Sequence, residues 1–350
     1  MRTIRERKVI DDSETEEVPA QYAITSYGAD FSVELIVQRL GKEIIFLPPF
    51  QRRFVWTLTQ ASQFIESLLL GLPVPGVFLS KEDKTGRLLI IDGQQRLRSI
   101  EFFVSGLFQG KEFALVNVHE RFLGRTYKSL ETQDRNNLND AVIHATIIRQ
   151  DEPSDDNQSS IYQIFRRLNS GGTVLQPQEI RACIYYGAFD DMLGELNKNK
   201  YWRSIYGLEA KRLKDQELIL RFFAFYFTRS TYERPMKAFL NKFMNRRRDI
   251  TPEKAQEFSE LFGNTIEKIH SALGNAAFKP ERVLNAAVFD SVMVTVAKSL
   301  TADHSLSDAR LKSRYHELLK NDRFIFNTTR ATGDKAAVDV RFEEAARLLA

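Results

Sequence analysis

The stretch "LLIIDGQQRLRSIEFF", residues 88–103, decides the fold of the N-terminal half, because its hydrophobic pattern changes at one point. The aliphatic run before Asp92 indicates a buried strand, and Gly93 ends it. From Leu97 to Phe103 the apolar residues recur at the spacing of a helix. The stretch therefore predicts a strand that turns through a glycine directly into a helix.

Arg96 lies in the first turn of this helix, where a positive side chain opposes the helix dipole and acidic residues are expected. Unpaired backbone N–H groups, the dipole and a guanidinium together form an anion site, with phosphate as the obvious ligand. Gly93 allows close approach of the backbone. Gln94 and Gln95 can donate to phosphate or ribose oxygens, and Asp92 can bind Mg²⁺ beside the phosphate.

The alternative interpretation of the same turn is structural. In it, Arg96 pairs with Asp92, and the glycine only turns the chain. The turn is not a Walker loop, since no Gly-x-x-x-x-Gly-Lys-Ser/Thr occurs, and it lacks the spaced glycines of a dinucleotide site. From the strand, turn and helix alone, both interpretations remain open.

A second polar motif, "PPFQRRFVW", covers residues 48–56. Gln51, Arg52 and Arg53 stand here before a phenylalanine and a tryptophan, on a loop that leads into a helix. Adjacent arginines with an aromatic neighbour suit a phosphate and a stacked base. The alternative is a surface loop with solvated arginines, and in both cases the two aromatic side chains are expected to anchor the loop in the core. Two Gln/Arg loops at helix starts favour a shared anion pocket.

Composition divides the rest of the chain into a mixed N-terminal part and a helical C-terminal part. Residues 1–20 are predicted to be a charged, mobile tail, and residues 21–150 an α+β domain with a small mixed sheet. The acidic, proline-containing residues 151–159 are the best linker. Residues 160–350 are predicted to form an all-α domain.

Local patterns predict most elements of both parts. In the N-terminal part, the predicted strands are "KEIIF", the two segments on either side of Gly86, "FALVNV" and "VIHATIIRQ". The predicted helices of this part are "LTQASQFIESLLLG", the helix after Gly93, and "ETQDRNNLNDA". The first of these helices is expected to be capped by Thr57 or Thr59. The C-terminal helices are "IYQIFRRL", "PQEIRACIYYG", "DQELILRFFAFYFTR", "PMKAFLNKFMNRRR", "PEKAQEFSELFGNTIEKIHSAL", "ERVLNAAVFDSVMVTVAKSL" and "SDARLKSRYHELLK". The aromatic cluster "RFFAFYF", residues 221–227, is predicted to be core.

Four stretches together resemble the N-terminal family of GmrSD-type modification-dependent restriction enzymes, which has a ParB/sulfiredoxin-like fold. They are "LPPFQRRFVW", "IESLLLGLPVPGVFLS", "IDGQQRLRSI" and "FRRLNSGGTVLQPQEIRACIYYGAF", and they cover residues 44–106 and 161–189. From about residue 213 onward, the chain is similar to the family only in the general character of its helical segments. The resemblance implies a nucleoside triphosphate pocket and, in several relatives, hydrolysis that drives or licenses attack on DNA in antiviral defence.

The resemblance also implies roles for individual residues. Catalysis falls on Asp92, Gln95 and Arg96, and Asp92 binds the metal or the attacking water. The phosphate- and nucleotide-binding residues that it implies are Gln51, Arg52, Arg53, Gly93, Gln94, Asn169 and Gly171. Glu179 and Arg181 are expected either to help close the pocket or to form a structural turn with an internal ion pair.

Two departures from related proteins limit the expected chemistry. Sulfiredoxins need a cysteine in the equivalent turn, where this chain has glutamines, so sulfiredoxin chemistry is excluded. Full-length GmrSD-type proteins usually add a C-terminal His-Asn-His-like nuclease domain, which needs a histidine base beside a metal-binding histidine or asparagine cluster. The five histidines of this chain are scattered: His119, His144, His270, His304 and His316. No nuclease is therefore predicted in this chain, since the loose trio of Asp191, Glu209 and Lys211 arises easily by chance.

The net charge and the cysteine content limit which partners and which cellular compartment are expected for this protein. A net charge of +4 and a pI near 9.0 permit an anionic partner without requiring one. The single cysteine, Cys183, indicates a buried residue in a reducing compartment, and no apolar run is long enough for a membrane, so a cytoplasmic location is expected. A basic helix with Lys242, Arg246, Arg247 and Arg248 predicts either a DNA contact or a solvated helix end.

The sequence thus predicts a nucleoside triphosphatase that uses Mg²⁺ in a restriction or antiphage system, with DNA and a nuclease protein as partners. The main alternative is a non-catalytic module in which the nucleotide switches affinity for DNA or a partner. A third possibility is a DNA nuclease with its active site in the helical half.

Overall fold

The computed structural model describes residues 24–46, 54–82, 85–150, 164, 176–302 and 306–349. They form two compact units, one within Gln21–Val174 and one within Leu175–Ala350, termed here the sheet unit and the helical unit. The predicted α+β class, a mixed sheet followed by helices, is confirmed. The predicted tail 1–20 and linker 151–159 lie outside the described residues.

The sheet unit is built on a mixed five-stranded sheet. Its strands are β1 (Ile24–Ser32), β2 (Ile45–Phe46), β3 (Val77–Lys81), β4 (Leu88–Asp92) and β7 (Val142–Gln150), and a separate two-stranded hairpin consists of β5 (Leu107–Phe108) and β6 (Lys111–Glu112). The order across the sheet is β1-β7-β3-β4-β2. The β1–β7 and β3–β4 pairs are antiparallel, whereas β7–β3 and β4–β2 are parallel.

Four helices of the sheet unit share a core with one face of this sheet. They are α1 (Val33–Gly41), α2 (Leu58–Leu69), α3 (Gln94–Ser105) and α4 (Thr132–Asp140). Leu79 and Ile90 of the sheet are buried in the same cluster as Ile65 and Ile100 of the helices. The predicted cap of α2 is confirmed at Thr57, whose Oγ1 accepts a hydrogen bond from the backbone N–H of the third helical residue at 3.2 Å.

Several features of this unit differ from the sequence prediction, among them helix α1 and the β5–β6 hairpin, which were not predicted. "FALVNV", predicted as a strand, is irregular, because its backbone pairs with a turn and a side chain instead of a strand. The N–H of Leu115 donates to the carbonyl of Arg125 at 2.9 Å, and the N–H of Val116 donates to Ser62 Oγ at 3.1 Å. Strand β1, which was not predicted, pairs with β7 along nine residues.

The helical unit contains ten described α-helices, α5 to α14. They are α5 (Pro177–Ile184), α6 (Ala188–Leu196), α7 (Lys200–Tyr206), α8 (Lys214–Thr228), α9 (Met236–Arg246), α10 (Pro252–Leu273), α11 (Ala286–Thr301), α12 (Asp308–Leu318), α13 (Asp322–Thr329) and α14 (Lys335–Leu349). Helix α11 is central, since thirteen of its sixteen residues are buried. None of the helices in the described ranges combines the length and the apolarity needed to cross a bilayer.

The predicted helices of this unit are largely confirmed, with α10 at the predicted bounds. Helix α11 begins later than predicted, because Asn285 caps it through the N–H groups of Ala287 and Val288. Helices α6, α7, α13 and α14 were not predicted. The predicted helix over "IYQIFRRL" falls almost entirely outside the described residues. Within "RFFAFYF" the core prediction is wrong for Phe227, which is 42% exposed.

Candidate functional site

Asp92 ends β4 in the middle of the sheet unit, and Gly93 turns the chain into α3. Gly93 adopts φ 96° and ψ 10°, a left-handed conformation that favours glycine. A Cβ atom at this position would lie 2.5 Å from Cγ1 of Val77. The turn therefore needs a glycine both for its backbone angles and for the close packing of the helix start against β3.

Helix α3 starts without the side-chain cap that α1 and α2 have, and in this respect it resembles α4. Ser32 and Thr57 cap α1 and α2, but Gly93 has no side chain to accept from the first turn of α3. The first intrahelical hydrogen bond runs from the N–H of Leu97 to the carbonyl of Gly93, at 3.0 Å. The first turn also contains no acidic residue. The positive end of the helix dipole is therefore not offset within the helix itself.

Arg96 forms an ion pair with Asp92 across this turn, as the structural alternative required. Nη2 of Arg96 lies 2.7 Å from Oδ2 of Asp92, and the two side chains are 16% and 39% exposed. Nε of Arg96 is buried and has no hydrogen-bond partner in the described part of the chain. The pair thus orients the guanidinium, leaves one of its donors unused, and keeps the carboxylate in contact with solvent.

Gln95 links the turn to the second polar motif. Its side-chain Oε1 accepts hydrogen bonds from the backbone N–H groups of Val55 and Trp56, at 2.9 and 3.2 Å. The residues that follow the arginines of the second motif are therefore held at the N-terminus of α3. No sequence signal could reveal this contact, because a glutamine side chain and a backbone 40 positions away carry no joint pattern.

The two aromatic residues of this motif anchor it, as predicted. The ring of Phe54 packs edge-on against Phe102 and Phe108, with centroids 5.0 and 5.5 Å apart. The ring of Trp56 packs against Phe64 at 5.7 Å. Both aromatic side chains lie against the core of the sheet unit.

Five predicted ligand residues lie outside the described residues: Gln51, Arg52, Arg53, Asn169 and Gly171. Their assignment to the nucleotide stays a prediction. Of the remaining predicted site residues, Asp92, Gly93, Gln94, Gln95 and Arg96 are contiguous in the sheet unit.

Glu179 and Arg181 belong to α5 of the helical unit, and both form ion pairs there. A carboxylate oxygen of Glu179 lies 2.8 Å from Nη2 of Arg212. Arg181 is fully buried and donates to Glu217 and, at 2.8 Å, to Gln178. The internal ion pair that the structural interpretation expected is not formed, because each residue pairs with a residue outside the motif.

The four basic residues predicted for DNA are not equivalent. Lys242 and Arg246 are exposed, whereas Arg247 and Arg248 are half-buried. Nε of Arg248 donates to the backbone carbonyl of Tyr186 at 2.7 Å, so this side chain supports the fold. Arg247 lies over the ring of Phe243, with Cζ 3.8 Å from the ring centroid.

Among the described residues, no group of three or more histidine, cysteine, aspartate or glutamate side chains is arranged to hold a metal ion. His144 pairs with Asp30 at 2.8 Å, and His304 lies outside the described residues. Cys183 is buried, as predicted. Asp190 was missed: it is a buried carboxyl whose pKa is raised well above its usual value, first by burial and then by the charge of Asp191.

Comparison with known families identifies the segment that carries both motifs. Residues 34–186 match the family described as the GmrSD restriction endonuclease, N-terminal domain. The match includes all of the sheet unit from α1 onward, together with α5, and it confirms the resemblance drawn from the motifs. No curated protein and no solved structure matches the chain.

Proposed function

We propose, from the premise that residues 34–186 are a GmrSD-type restriction endonuclease N-terminal domain, that the sheet unit binds and hydrolyses a nucleoside triphosphate. The family ties the chain to restriction systems, whose target is DNA. The observation that carries the proposal is the pair of hydrogen bonds from the backbone of Val55 and Trp56 to Gln95. These bonds bring the end of the second motif to the helix start that bears Arg96.

The helix start has the properties of a phosphate site. Gly93 gives its first turn no side-chain cap, and the turn contains no acidic residue, so the positive dipole end can stabilise an anion. Arg96 adds a guanidinium, which can bind two phosphate oxygens at once. Arg52 and Arg53 directly precede the anchored Phe54 in the sequence. A triphosphate matches this density of positive charge better than a single carboxylate would.

Asp92 fits a Mg²⁺ ion that arrives with the nucleotide. Mg²⁺ is commonly held by one or two carboxylates and the phosphates of its substrate, so a protein cage of several acids is not needed. Arg96 contacts Oδ2 of Asp92, and the carboxylate remains 39% exposed. Bound there, the ion would offset the charge of the phosphates during hydrolysis. Arg96 would exchange its contact with Asp92 for one with a phosphate.

A second candidate is a module that binds the nucleotide without hydrolysing it and changes its affinity for DNA or a nuclease partner. The ion pair between Asp92 and Arg96 favours it, because a carboxylate bound to a guanidinium is less available to orient a water molecule. Both candidates use the same phosphate contacts, so only product formation separates them.

The experiment that tests the proposal measures binding and phosphate release on one sample, with each of the four common nucleoside triphosphates, with and without Mg²⁺. We expect at least one triphosphate to bind in the micromolar range or tighter and to release phosphate only with Mg²⁺. Binding without release would establish the second candidate. The absence of binding by all four would contradict both.

Gln95 has two proposed roles that can be tested separately. One is the pair of hydrogen bonds that it accepts from the backbone of Val55 and Trp56, termed here the clamp, and the other is a contact with the nucleotide. Gln95→Glu keeps an oxygen acceptor for both N–H groups, but it replaces the amide donor with a negative charge. We expect it to preserve the clamp and to weaken nucleotide binding about tenfold or more, since an acceptor now faces the phosphates. Gln95→Ala should lose both the clamp and the contact with the nucleotide.

Acrylamide quenching of tryptophan fluorescence reports the clamp, because Trp202 is fully buried and the signal change comes from Trp56. Gln133→Glu, at an exposed glutamine of α4, is the matched control and should change neither measurement. Wild-type nucleotide affinity in Gln95→Glu would show that Gln95 acts only as a clamp.

A further inference from the structure

Phe227 is an exposed aromatic residue that is held rigidly at the surface of the helical unit. It is the penultimate residue of α8 and is 42% exposed, although the surrounding cluster is core. Its ring stacks on Phe258 of α10, with centroids 4.5 Å apart and planes at 17°. Phe258 is itself buried. An exposed phenylalanine fixed in this way has little conformational freedom left to lose when a further flat ring packs on it.

The guanidinium of Arg247 lies over this ring, and none of the described residues forms an ion pair with it. Its Cζ is 3.8 Å from the ring centroid of Phe243 and 5.7 Å from that of Phe227. No carboxylate of the described residues is within ion-pair distance of its guanidinium. Burial lowers the pKa of Arg247, and the neighbouring charge of Arg246 lowers it further. A half-buried guanidinium on an aromatic ring, next to a second cation, is a site that an anion would stabilise.

The surrounding chain is strongly basic. From Arg234 to Arg248 there are six basic residues and no acidic one. Among them, Lys242 and Arg246 are exposed one helical turn apart on α9. A polyanion that carries both flat rings and phosphates could contact the aromatic and the cationic side chains together.

We propose that Phe227 and Arg247 form a binding site for single-stranded DNA, in which an unpaired base stacks on Phe227 and an adjacent phosphate binds Arg247. Unpaired bases present their faces to aromatic side chains, whereas the bases of a duplex are already stacked on one another. The site lies within the helical unit and uses none of the residues assigned to the nucleotide. It therefore goes beyond the proposed triphosphatase and can be tested without any nucleotide.

Phe326 and Arg330 supply a matched control on the same unit. Phe326 is 57% exposed, and Cζ of Arg330 is 5.7 Å from its ring centroid, the same distance as in the Phe227 pair. No ring of the described residues stacks on Phe326. Phe326 thus shares the exposure and the cation of Phe227 but lacks the stacked support.

The test is fluorescence anisotropy of a labelled oligodeoxythymidylate of about 20 nucleotides with the full chain, without nucleotide and without Mg²⁺. Phe227→Ala and Arg247→Ala are each expected to weaken binding about tenfold, whereas Phe326→Ala and Arg330→Ala should bind as the wild type does. Arg247→Ala should also reduce the slope of log affinity against log salt by about 0.7, the value for one lost phosphate contact on a single strand.

Phe227→Trp keeps a stacking surface and should retain wild-type affinity. This control distinguishes the loss of stacking in Phe227→Ala from a general loss of structure. Melting temperatures of all variants are measured alongside. Equal affinities of Phe227→Ala and wild type, an equal loss in Phe326→Ala, or no binding of the oligonucleotide would each overturn the proposal. Stronger binding of a duplex of the same length, unaffected by Phe227→Ala, would overturn it as well. Phosphate release by Phe227→Ala should stay at the wild-type rate, so failure here and failure of the triphosphatase proposal are distinguishable.

Discussion

Replacing Arg96 with alanine is expected to lower the rate of phosphate release by at least about a hundredfold, the usual effect of removing a group that stabilises developing charge. Arg96 is the cation that the structure places at the uncapped start of α3, and one of its nitrogen donors is buried without a partner in the described chain. Once Arg96 has exchanged Asp92 for a phosphate, its charge would offset the negative charge that develops there during hydrolysis. Phosphate release is measured at saturating nucleotide and Mg²⁺.

Arg98 provides the matched control for this substitution. It lies two residues further along the same helix, and it pairs with Glu101 at 2.6 Å. Arg98→Ala should retain wild-type phosphate release. Arg96→Lys keeps the charge but cannot form the bidentate hydrogen bonds of a guanidinium, so a rate of phosphate release between those of wild type and Arg96→Ala is expected. Normal turnover in Arg96→Ala would remove Arg96 from the mechanism.

The structural interpretation of Arg96 makes a different prediction, which the same variants test. If Arg96 served only to pair with Asp92, Arg96→Ala and Asp92→Ala would each cost no more than about 1 kcal/mol of stability, because the carboxylate is partly exposed. Nucleotide affinity would then be unchanged in both. A loss of affinity in Arg96→Ala at nearly wild-type melting temperature would show that the ion pair serves to orient the arginine for a ligand.

Elements with strong local signals were predictable from the sequence. The cap at Thr57, the glycine turn at Gly93 and the periodicity of α3 all involve neighbours in the chain, and the structure confirms each. Strand β1 was missed because it lies at the sheet edge and its residues 25–28 are exposed, which leaves no alternating apolar pattern. Its pairing partner, β7, is more than a hundred positions away.

The candidate site was predictable only in part, for the same reason. The pair of Asp92 and Arg96 joins residues four apart across the turn from β4 into α3, so the sequence could offer it as an alternative. The clamp by Gln95 could not be predicted, because its acceptors and donors come from distant segments. Phe227 was placed in the core with its neighbours, since an aromatic-rich helix gives no sign of which ring ends at the surface.

Replacing Asp290 with asparagine is expected to destabilise the helical unit by about 3–5 kcal/mol, the cost of leaving buried charge without its partner. Asp290 lies on the central helix α11 and is fully buried between two arginines. Arg221 binds both of its oxygens, at 3.1 and 2.7 Å, and Nη2 of Arg341 lies 3.3 Å away. Burial lowers the pKa of Arg341 to about 10, so its guanidinium remains charged at neutral pH.

Asparagine has nearly the shape of aspartate, so the substitution removes the charge without opening a cavity. Two buried cations would then face each other without an anion, and the melting temperature should fall by roughly 6–20 °C in differential scanning calorimetry. Glu195→Gln is the control: Glu195 pairs with Lys198 at 2.7 Å, but the two side chains are 73% and 62% exposed, so little change is expected. Removing all three charges together, with Asp290→Leu, Arg221→Met and Arg341→Met, should recover much of the loss, because no unpaired charge would remain. If Asp290→Asn melted at the wild-type temperature, the carboxylate would not be what balances the two arginines.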